Sequence, residues 1–130
     1  MRKKRQKGRC VKVKLDKAQE LCKCFDKIQE TFARVIAADE NVDEFSMNVP
    51  LDFSKVNLPS DLPAPEEIYT TDFLIKRTDG ALVVRECVFR RMLGYPSTAE
   101  SLQLSKTYWE QRGVDDWGII IEKKEGEQDS

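Results

Sequence analysis

Residues 69–89, YTTDFLIKRTDGALVVRECVF, constrain the fold more than any other stretch of the chain. Two runs rich in β-branched and aromatic residues flank an Asp-Gly pair, which tolerates the positive φ angles of a tight hairpin turn. The stretch therefore predicts two adjacent antiparallel strands. Each strand also contains an acidic residue, Asp72 in the first and Glu86 in the second. Carboxylates are uncommon in apolar strands, so these two residues are candidates for a functional site.

Periodicity predicts a helix and a strand before this hairpin. Apolar residues recur at helical spacing from Asp16 to about Ala38, which predicts one long amphipathic helix. Residues 40–53 predict an extended strand, and residues 54–67, with three prolines, predict an irregular connector.

A second helix and a final strand follow the hairpin. STAE at residues 97–100 predicts a capping box that begins a helix running to about Arg112 and ending at Gly113. DWGIIIE, residues 116–122, predicts a strand covered on both faces. The order helix, three strands, helix, strand predicts an α/β fold with a mixed sheet between helices.

Length and charge predict one domain with charged ends. The 130 residues contain 22 basic and 23 acidic side chains, so net charge favours no class of partner. The first fourteen residues, however, contain eight Lys or Arg and no acid. We therefore expect a basic, disordered arm over residues 1–15, a folded domain over residues 16–124 and an acidic tail over residues 125–130. Such an arm can neutralise phosphates, although a solvated terminus is an equally good interpretation.

The cysteines and the absence of histidine limit the chemistry. No apolar run reaches the roughly 20 residues of a membrane span, and no apolar segment follows the basic start, so we expect a cytoplasmic protein with reduced thiols. Cys22 and Cys24 are interpreted as one half-buried and one exposed helix position rather than as zinc ligands. Without His, any catalysis depends on carboxylates, Lys or a metal-bound water.

Two carboxylates on one face of adjacent strands can bind a divalent cation. If Asp72 and Glu86 point the same way, their oxygens suit Mg²⁺ or Mn²⁺, which could activate water against a phosphodiester. The alternative is that each acid pairs with a nearby Arg or Lys on an exposed sheet face. Their spacing across a hairpin is the layout of the PD-(D/E)xK nuclease core.

Three longer segments resemble the N-terminal catalytic domain of the TnsA-type endonuclease subunit of heteromeric transposases. They are YTTDFLI at 69–75, VDEFSMNVPL at 42–51 and LSKTYWEQRGVDDWGIIIEKK at 104–124. The similarity covers roughly residues 20–124. It implies a restriction-endonuclease-like α-β-β-β-α-β core that cuts DNA at transposon ends with Mg²⁺ or Mn²⁺.

The family's site has a helix Glu, an Asp, a Gln or Glu, and a Lys two residues later. Position by position these fall on Gln29, Asp72, Glu86 and Val88, so an acid is replaced by an amide and a cation by an aliphatic chain. Gln29 borders the apolar stripe of the predicted helix, whereas the adjacent Glu30 points away from it. The resemblance thus implies a metal at Asp72 and Glu86.

Neighbouring residues could compensate for the two departures. Lys76 lies on the same strand face as Asp72 and could replace the missing Lys. Glu30 or Glu66 could replace the helix acid only with backbone adjustment.

The resemblance also implies partners. Arg77, Arg85, Arg90 and Arg91 are candidates for contacts with double-stranded DNA. In the family a DDE-type transposase subunit cuts the other strand. In the same family an ATP-dependent regulator docks on a separate C-terminal domain of the endonuclease subunit, and 130 residues leave no room for that domain.

The leading hypothesis is therefore a TnsA-like endonuclease subunit. The alternative is a catalytically impaired DNA-binding or assembly subunit that supports a partner transposase, favoured by Gln29 and Val88. A third hypothesis, an unrelated nuclease on the same fold, stays open because fold alone does not determine function.

Overall fold

A computed structural model describes residues 10–122 of the chain. These residues form a mixed four-stranded sheet with a helix on each face and a small two-stranded ribbon, which confirms the predicted α/β class. The elements in chain order are β1 (Val11–Val13), β2 (Cys22–Cys24), α1 (Lys27–Ala37), β3 (Val42–Leu51), β4 (Tyr69–Arg77), β5 (Leu82–Val88), α2 (Pro96–Gln111) and β6 (Asp116–Ile121). The strand order is β3-β4-β5-β6, with only the β5–β6 pair parallel.

The predicted hairpin is present. β4 and β5 pair antiparallel, and the turn between them is closed by the N–H of Arg77 donating to the carbonyl of Ala81 at 2.9 Å. Gly80 has a φ of 89°, the left-handed conformation that the Asp-Gly pair predicted.

The first helix is shorter than predicted, because it begins at Lys27 and not at Asp16. Residues 17–19 instead bond to the edge of β3, where Phe45 donates its N–H to the carbonyl of Lys17 at 2.9 Å. Pairing with this sheet edge stabilises a non-helical conformation, with Lys17 at a φ of 72°, that helical periodicity did not predict. Asp26 caps the shorter helix by accepting the N–H of Gln29 at 2.8 Å.

The preceding segment is the β1–β2 ribbon, defined as residues Val11–Val13 paired antiparallel with Cys22–Cys24. Both cysteines are buried at 2% exposure, so the interpretation of one half-buried and one exposed helix position is wrong. Residues 11–13 also belong to the folded domain, although we predicted them as part of a disordered arm. Residues 1–9 of that arm and the whole acidic tail, residues 125–130, lie outside the described residues.

Two apolar clusters lie on opposite faces of the sheet. The α1 cluster packs α1 and β2 against the sheet, with Phe45, Phe73, Ile75, Val83 and Cys87. The α2 cluster packs Tyr108 and Trp109 against Leu51, Tyr69 and Val84. Val83 and Val84 are consecutive in β5, so the two clusters must occupy opposite faces.

Two details of the C-terminal half differ from expectation. Helix α2 begins at Pro96 after Tyr95, and no side chain caps it, so the predicted capping box at Ser97 is absent. Proline at the first helical position lacks the N–H that a cap would satisfy. Strand β6 is a sheet edge with Asp116 and Ile119 exposed, so it is not covered on both faces. Gly113 follows the end of α2 with a φ of 79°, as predicted.

No helix among residues 10–122 combines the length and the apolar character needed to cross a membrane.

Candidate functional site

Three polar residues lie side by side on β3, β4 and β5. The pairs Phe73–Arg85 and Leu74–Val84 define the β4–β5 register, and one further step places Asp72 opposite Glu86. The β3–β4 register likewise places Asn48 opposite Asp72. We call Asn48, Asp72 and Glu86 the polar row.

At the polar row, the side chains of β3 and β4 switch from one face of the sheet to the other. Phe45 and Met47 contact the α1 cluster, whereas Val49 and Leu51 belong to the α2 cluster, although strict alternation would keep all four on one face. Asn48 has a φ of 52°, and this left-handed residue reverses the alternation. The same switch occurs in β4, because Thr71 bonds Trp109 of α2 whereas Phe73 belongs to the α1 cluster. The polar row therefore occupies the boundary between the two clusters.

The Asp72 carboxylate is fully buried and bonded at both oxygens. Oδ1 accepts a hydrogen bond from Nε2 of Gln29 at 2.7 Å. Oδ2 accepts the backbone N–H of Cys87 at 2.7 Å, so the side chain reaches across to β5. Asp72 is 0% exposed.

The Gln29 amide has a single orientation that satisfies its neighbours. Its Oε1 accepts the backbone N–H of Phe25 at 3.0 Å, and that N–H can only donate. The amide nitrogen must therefore face the other way, where Nε2 bonds Oδ1 of Asn48 at 2.7 Å as well as Asp72. Gln29 is 0% exposed, as its predicted position beside the apolar stripe indicated. It presents donors, and not an oxygen ligand, to Asp72.

The Glu86 carboxylate is buried to the same extent. Oε1 accepts the backbone N–H of Asp72 at 3.0 Å. Oε2 accepts hydroxyl hydrogen bonds from Thr71 at 2.9 Å and from Ser105 of α2 at 2.5 Å. The three donors compensate for the burial of this carboxylate, which is 0% exposed.

Two indole groups complete the network around Glu86. Nε1 of Trp109 donates to Oγ1 of Thr71 at 2.7 Å, and Nε1 of Trp117 donates to Oγ of Ser105 at 3.0 Å. Each hydroxyl thus accepts from an indole and donates to the carboxylate. Thr71 and Ser105 were not among the site residues predicted from the sequence. The available signal was that a buried indole N–H requires an acceptor.

The two carboxylates each bond the neighbouring strand with one oxygen, and their other oxygens point to opposite faces of the sheet. The inner oxygens bond backbone N–H groups across the β4–β5 pair, whereas the outer oxygen of Asp72 faces α1 and that of Glu86 faces α2. Both acids are completely buried, so the alternative of an exposed sheet face is wrong.

These residues do not fit a Mg²⁺ or Mn²⁺ ion. Such ions require oxygen ligands, but all four carboxylate oxygens of Asp72 and Glu86 already accept hydrogen bonds, and Gln29 presents an amide nitrogen. Within residues 10–122, Cys, Asp and Glu side chains form no cluster of three that could hold a metal.

The substitute residues do not join the polar row. Val88 is buried at 5% exposure, so the position of the family's Lys lies in the core. Lys76 is exposed and pairs in register with Glu44, four residues from Asp72 or about 13 Å along the strand. Glu30 instead bonds Arg34 at 3.1 Å. Glu66 is exposed in the connector before β4.

Two of the four predicted DNA-binding arginines bond to protein groups. Arg85 forms a salt bridge with Asp116 at 2.6 Å, and its Nη1 donates to the carbonyl of Val84 at 2.9 Å. Nε of Arg90 donates to the carbonyl of Glu122 at 2.8 Å. Their guanidinium groups are thereby used to attach β6 to β5.

The other two arginines lie at opposite ends of β5. Arg77 is exposed beside the hairpin turn, and Arg91 is exposed beyond the other end, with its guanidinium 4.6 Å from the Phe89 ring centre. The seven residues of β5 separate them by roughly 20 Å. The four arginines do not form one continuous surface.

No protein-family model matches the chain, and no curated protein matches it either, so the interpretation of the polar row rests on its own geometry.

Proposed function

We propose that this protein is a non-catalytic DNA-binding or assembly subunit with a restriction-endonuclease-like fold of the TnsA type. The observation that carries the proposal is the hydrogen bond from Nε2 of Gln29 to Asp72. At the place where the resembling family has a metal-binding Glu, this chain has a donor that satisfies the carboxylate directly.

The order of the elements supports the nuclease-like part of the proposal. One helix, three antiparallel strands, a second helix and a parallel strand follow each other as in the core that the resemblance implies. The positions that correspond to the family's acids also meet, since Gln29, Asp72 and Glu86 belong to one hydrogen-bonded network.

The hydrogen bonds support the non-catalytic part. A cation between Asp72 and Glu86 would have to displace donors from completely buried carboxylates, and no Lys replaces Val88. The network instead links both helices to the sheet, which is a structural role. In this proposal a partner transposase cuts the DNA.

Metal-dependent cleavage is the second candidate function. The observation that favours it is the contact between the two acidic residues, in which Oε1 of Glu86 accepts the backbone N–H of Asp72 at 3.0 Å.

A plasmid assay distinguishes the two functions. We expect the wild-type chain to retard supercoiled plasmid and a linear duplex in a gel, but to produce no nicked circles with Mg²⁺ or Mn²⁺. Asp72→Asn and Glu86→Gln keep the side-chain shape and should leave both results unchanged where the variants fold. Asp43→Asn, at an exposed position, is the matched control.

Two results would contradict the proposal. Metal-dependent nicking by the wild type that disappears in Asp72→Asn and Glu86→Gln, but persists in Asp43→Asn, would establish an endonuclease. Failure of the wild type to bind duplex DNA at all would remove the DNA-binding role.

A further inference from the structure

The β1–β2 ribbon presents lysines to solvent. Its register pairs Lys12 directly with Lys23, and the alternate positions Cys22 and Cys24 are buried in the α1 cluster. Because side chains alternate across a strand, Lys12 and Lys23 share the outer face. Lys14, two residues after Lys12, is exposed as well. We call Lys12, Lys14 and Lys23 the lysine face.

The lysine face holds uncompensated charge. Like charges directly opposite each other on two strands destabilise the pair. Within the described part of the chain, the salt bridges involve arginines elsewhere, and no carboxylate pairs with Lys12 or Lys23. Acidic residues are as numerous as basic ones in this protein, so the composition does not force this arrangement. An anionic ligand would remove the repulsion.

The lysine face lies next to the polar row. The backbone carbonyl of Lys23 accepts a hydrogen bond from Nδ2 of Asn48 at 2.8 Å. Asn48 is bonded in turn to Gln29, which is bonded to Asp72. The ribbon is therefore attached to the polar row through hydrogen bonds.

We propose that the lysine face binds the phosphate backbone of double-stranded DNA. The inference rests on the proposed function and names the surface that performs it. Lys12 and Lys23 form a directly opposed pair, and Lys14 follows the end of β1 two residues after Lys12, so three exposed positive charges lie close together in the chain fold. The major groove of DNA is wide enough for a two-stranded ribbon. The chain before Cys10 contains six more Lys or Arg, so the basic character continues towards the N-terminus.

Duplex DNA fits this surface better than an anionic membrane. On the inner face of the ribbon, Cys22 and Cys24 are packed into the α1 cluster, so these two side chains are not available for insertion among lipids. Linear arrays of lysine match linear arrays of phosphate, and each such contact releases counterions.

The test measures how salt changes the affinity of the full chain for a fluorescent 20-base-pair duplex. The variant Lys12→Gln/Lys23→Gln should bind more weakly than the wild type. The slope of log K against log salt should become less steep by about 1.8, since each lost phosphate contact contributes about 0.9. Lys12→Arg/Lys23→Arg keeps both charges and should retain the wild-type slope.

Lys55→Gln/Lys106→Gln is the matched control. It removes the same charge from two other exposed lysines, of which Lys106 lies on α2 across the sheet from α1. We expect this control to keep the wild-type slope, which separates the lysine face from an effect of net charge. Circular dichroism and melting temperature verify that all variants fold.

The outcomes separate this inference from the proposed function. Duplex binding with an unchanged slope in Lys12→Gln/Lys23→Gln would overturn the lysine face and leave the DNA-binding role intact. No duplex binding by the wild type would overturn both the lysine face and the DNA-binding role. Binding to phosphatidylserine vesicles but not to the duplex, lost in the same variant, would assign the face to a membrane.

Discussion

At the scale of single residues, the exchange of a carboxylate for an amide decides what the polar row can do. Gln29 donates to Asp72 and Asn48 and accepts from Phe25, so its amide has three partners and no contact with solvent. Helix position alone predicted that Gln29, and not Glu30, would face the strands. The partners on Asn48 and Phe25 were not predictable, because they depend on a left-handed residue and on a helix start that periodicity placed eleven residues too early.

Gln29→Glu tests this network through stability. A carboxylate at this position would face Oδ1 of Asp72 and leave Oδ1 of Asn48 without its donor. We expect the free energy of unfolding at pH 7 to fall by roughly 3 kcal/mol. Urea titration followed by tryptophan fluorescence measures the change.

Glu30→Gln is the control for this substitution. It makes the reverse exchange at the next position and removes the exposed contact with Arg34, so the expected loss is below about 1 kcal/mol. Wild-type stability in Gln29→Glu would show that the network tolerates a third acid beside Asp72 and Glu86.

Cys24 makes stability depend on pH in the alkaline range. Burial, followed by the nearby Cys22, raises the pKa of the Cys24 thiol from 9.0 to about 11. The folded state therefore holds this proton more tightly than the unfolded state. The stabilising contribution is complete below pH 9 and is lost as the pH rises towards 11.

Urea midpoints between pH 7.5 and pH 10.5 measure this dependence. We expect the wild type to lose more stability across that range than Cys24→Ala, which has no thiol to titrate. Cys10→Ala, at an exposed cysteine, should follow the wild type. Parallel curves for the wild type and Cys24→Ala would contradict the prediction.

At the scale of elements, strong local signals predicted the hairpin and the end of α2, whereas long-range pairing decided the rest. The Asp-Gly turn and Gly113 adopt the conformations that their residue types favour. Residues 17–19 and the β1–β2 ribbon depend instead on partners distant in the sequence, which periodicity within a window does not contain. Asp26 is a local signal for the true start of α1, since Asp is a preferred N-cap residue.

The surroundings of Gly118 in β6 predict the sign of the stability change that an added Cβ would cause. A Cβ at this position would lie 3.0 Å from Nη1 of Arg85. The guanidinium group is held in place by hydrogen bonds from Nη1 to Val84 and from Nη2 to Asp116. We expect Gly118→Ala to destabilise the wild type by about 1 kcal/mol. In an Arg85→Gln background the same substitution should stabilise by about 0.5 kcal/mol or more, because Ala suits a strand better than Gly.

Thermal and urea unfolding of the four proteins in this double-mutant cycle measure the reversal. Gly94→Ala is the control, since a Cβ there has no atom within 4 Å. The same sign for Gly118→Ala in both backgrounds would show that Arg85 does not require the glycine.

At the scale of the whole molecule, the two apolar clusters lie on opposite faces of the sheet, and the polar row lies at the boundary between them. Each helix stabilises its own face, and Asp72 and Glu86 connect α1 and α2 through hydrogen bonds to Gln29 and Ser105. The β1–β2 ribbon closes the α1 cluster at one side, with Leu15 packed against it. The domain therefore extends further towards the N-terminus than the composition predicted.

Truncation tests this boundary. Removing residues 1–15 deletes β1 and Leu15, so we expect a loss of about 1–3 kcal/mol relative to a chain that lacks only residues 1–9. Differential scanning calorimetry of the two truncated chains measures the difference that residues 10–15 make. Equal melting temperatures would restore the predicted boundary at residue 16.

The hydrogen bond from Asn48 to the carbonyl of Lys23 connects the β1–β2 ribbon at the surface to the interior of the domain. A ligand that displaces the ribbon also acts on a series of three hydrogen-bonded side chains, Asn48, Gln29 and Asp72, which ends at the backbone N–H of Cys87. We therefore expect a ligand that binds the ribbon to change the deuterium uptake of this interior amide, which hydrogen–deuterium exchange measures.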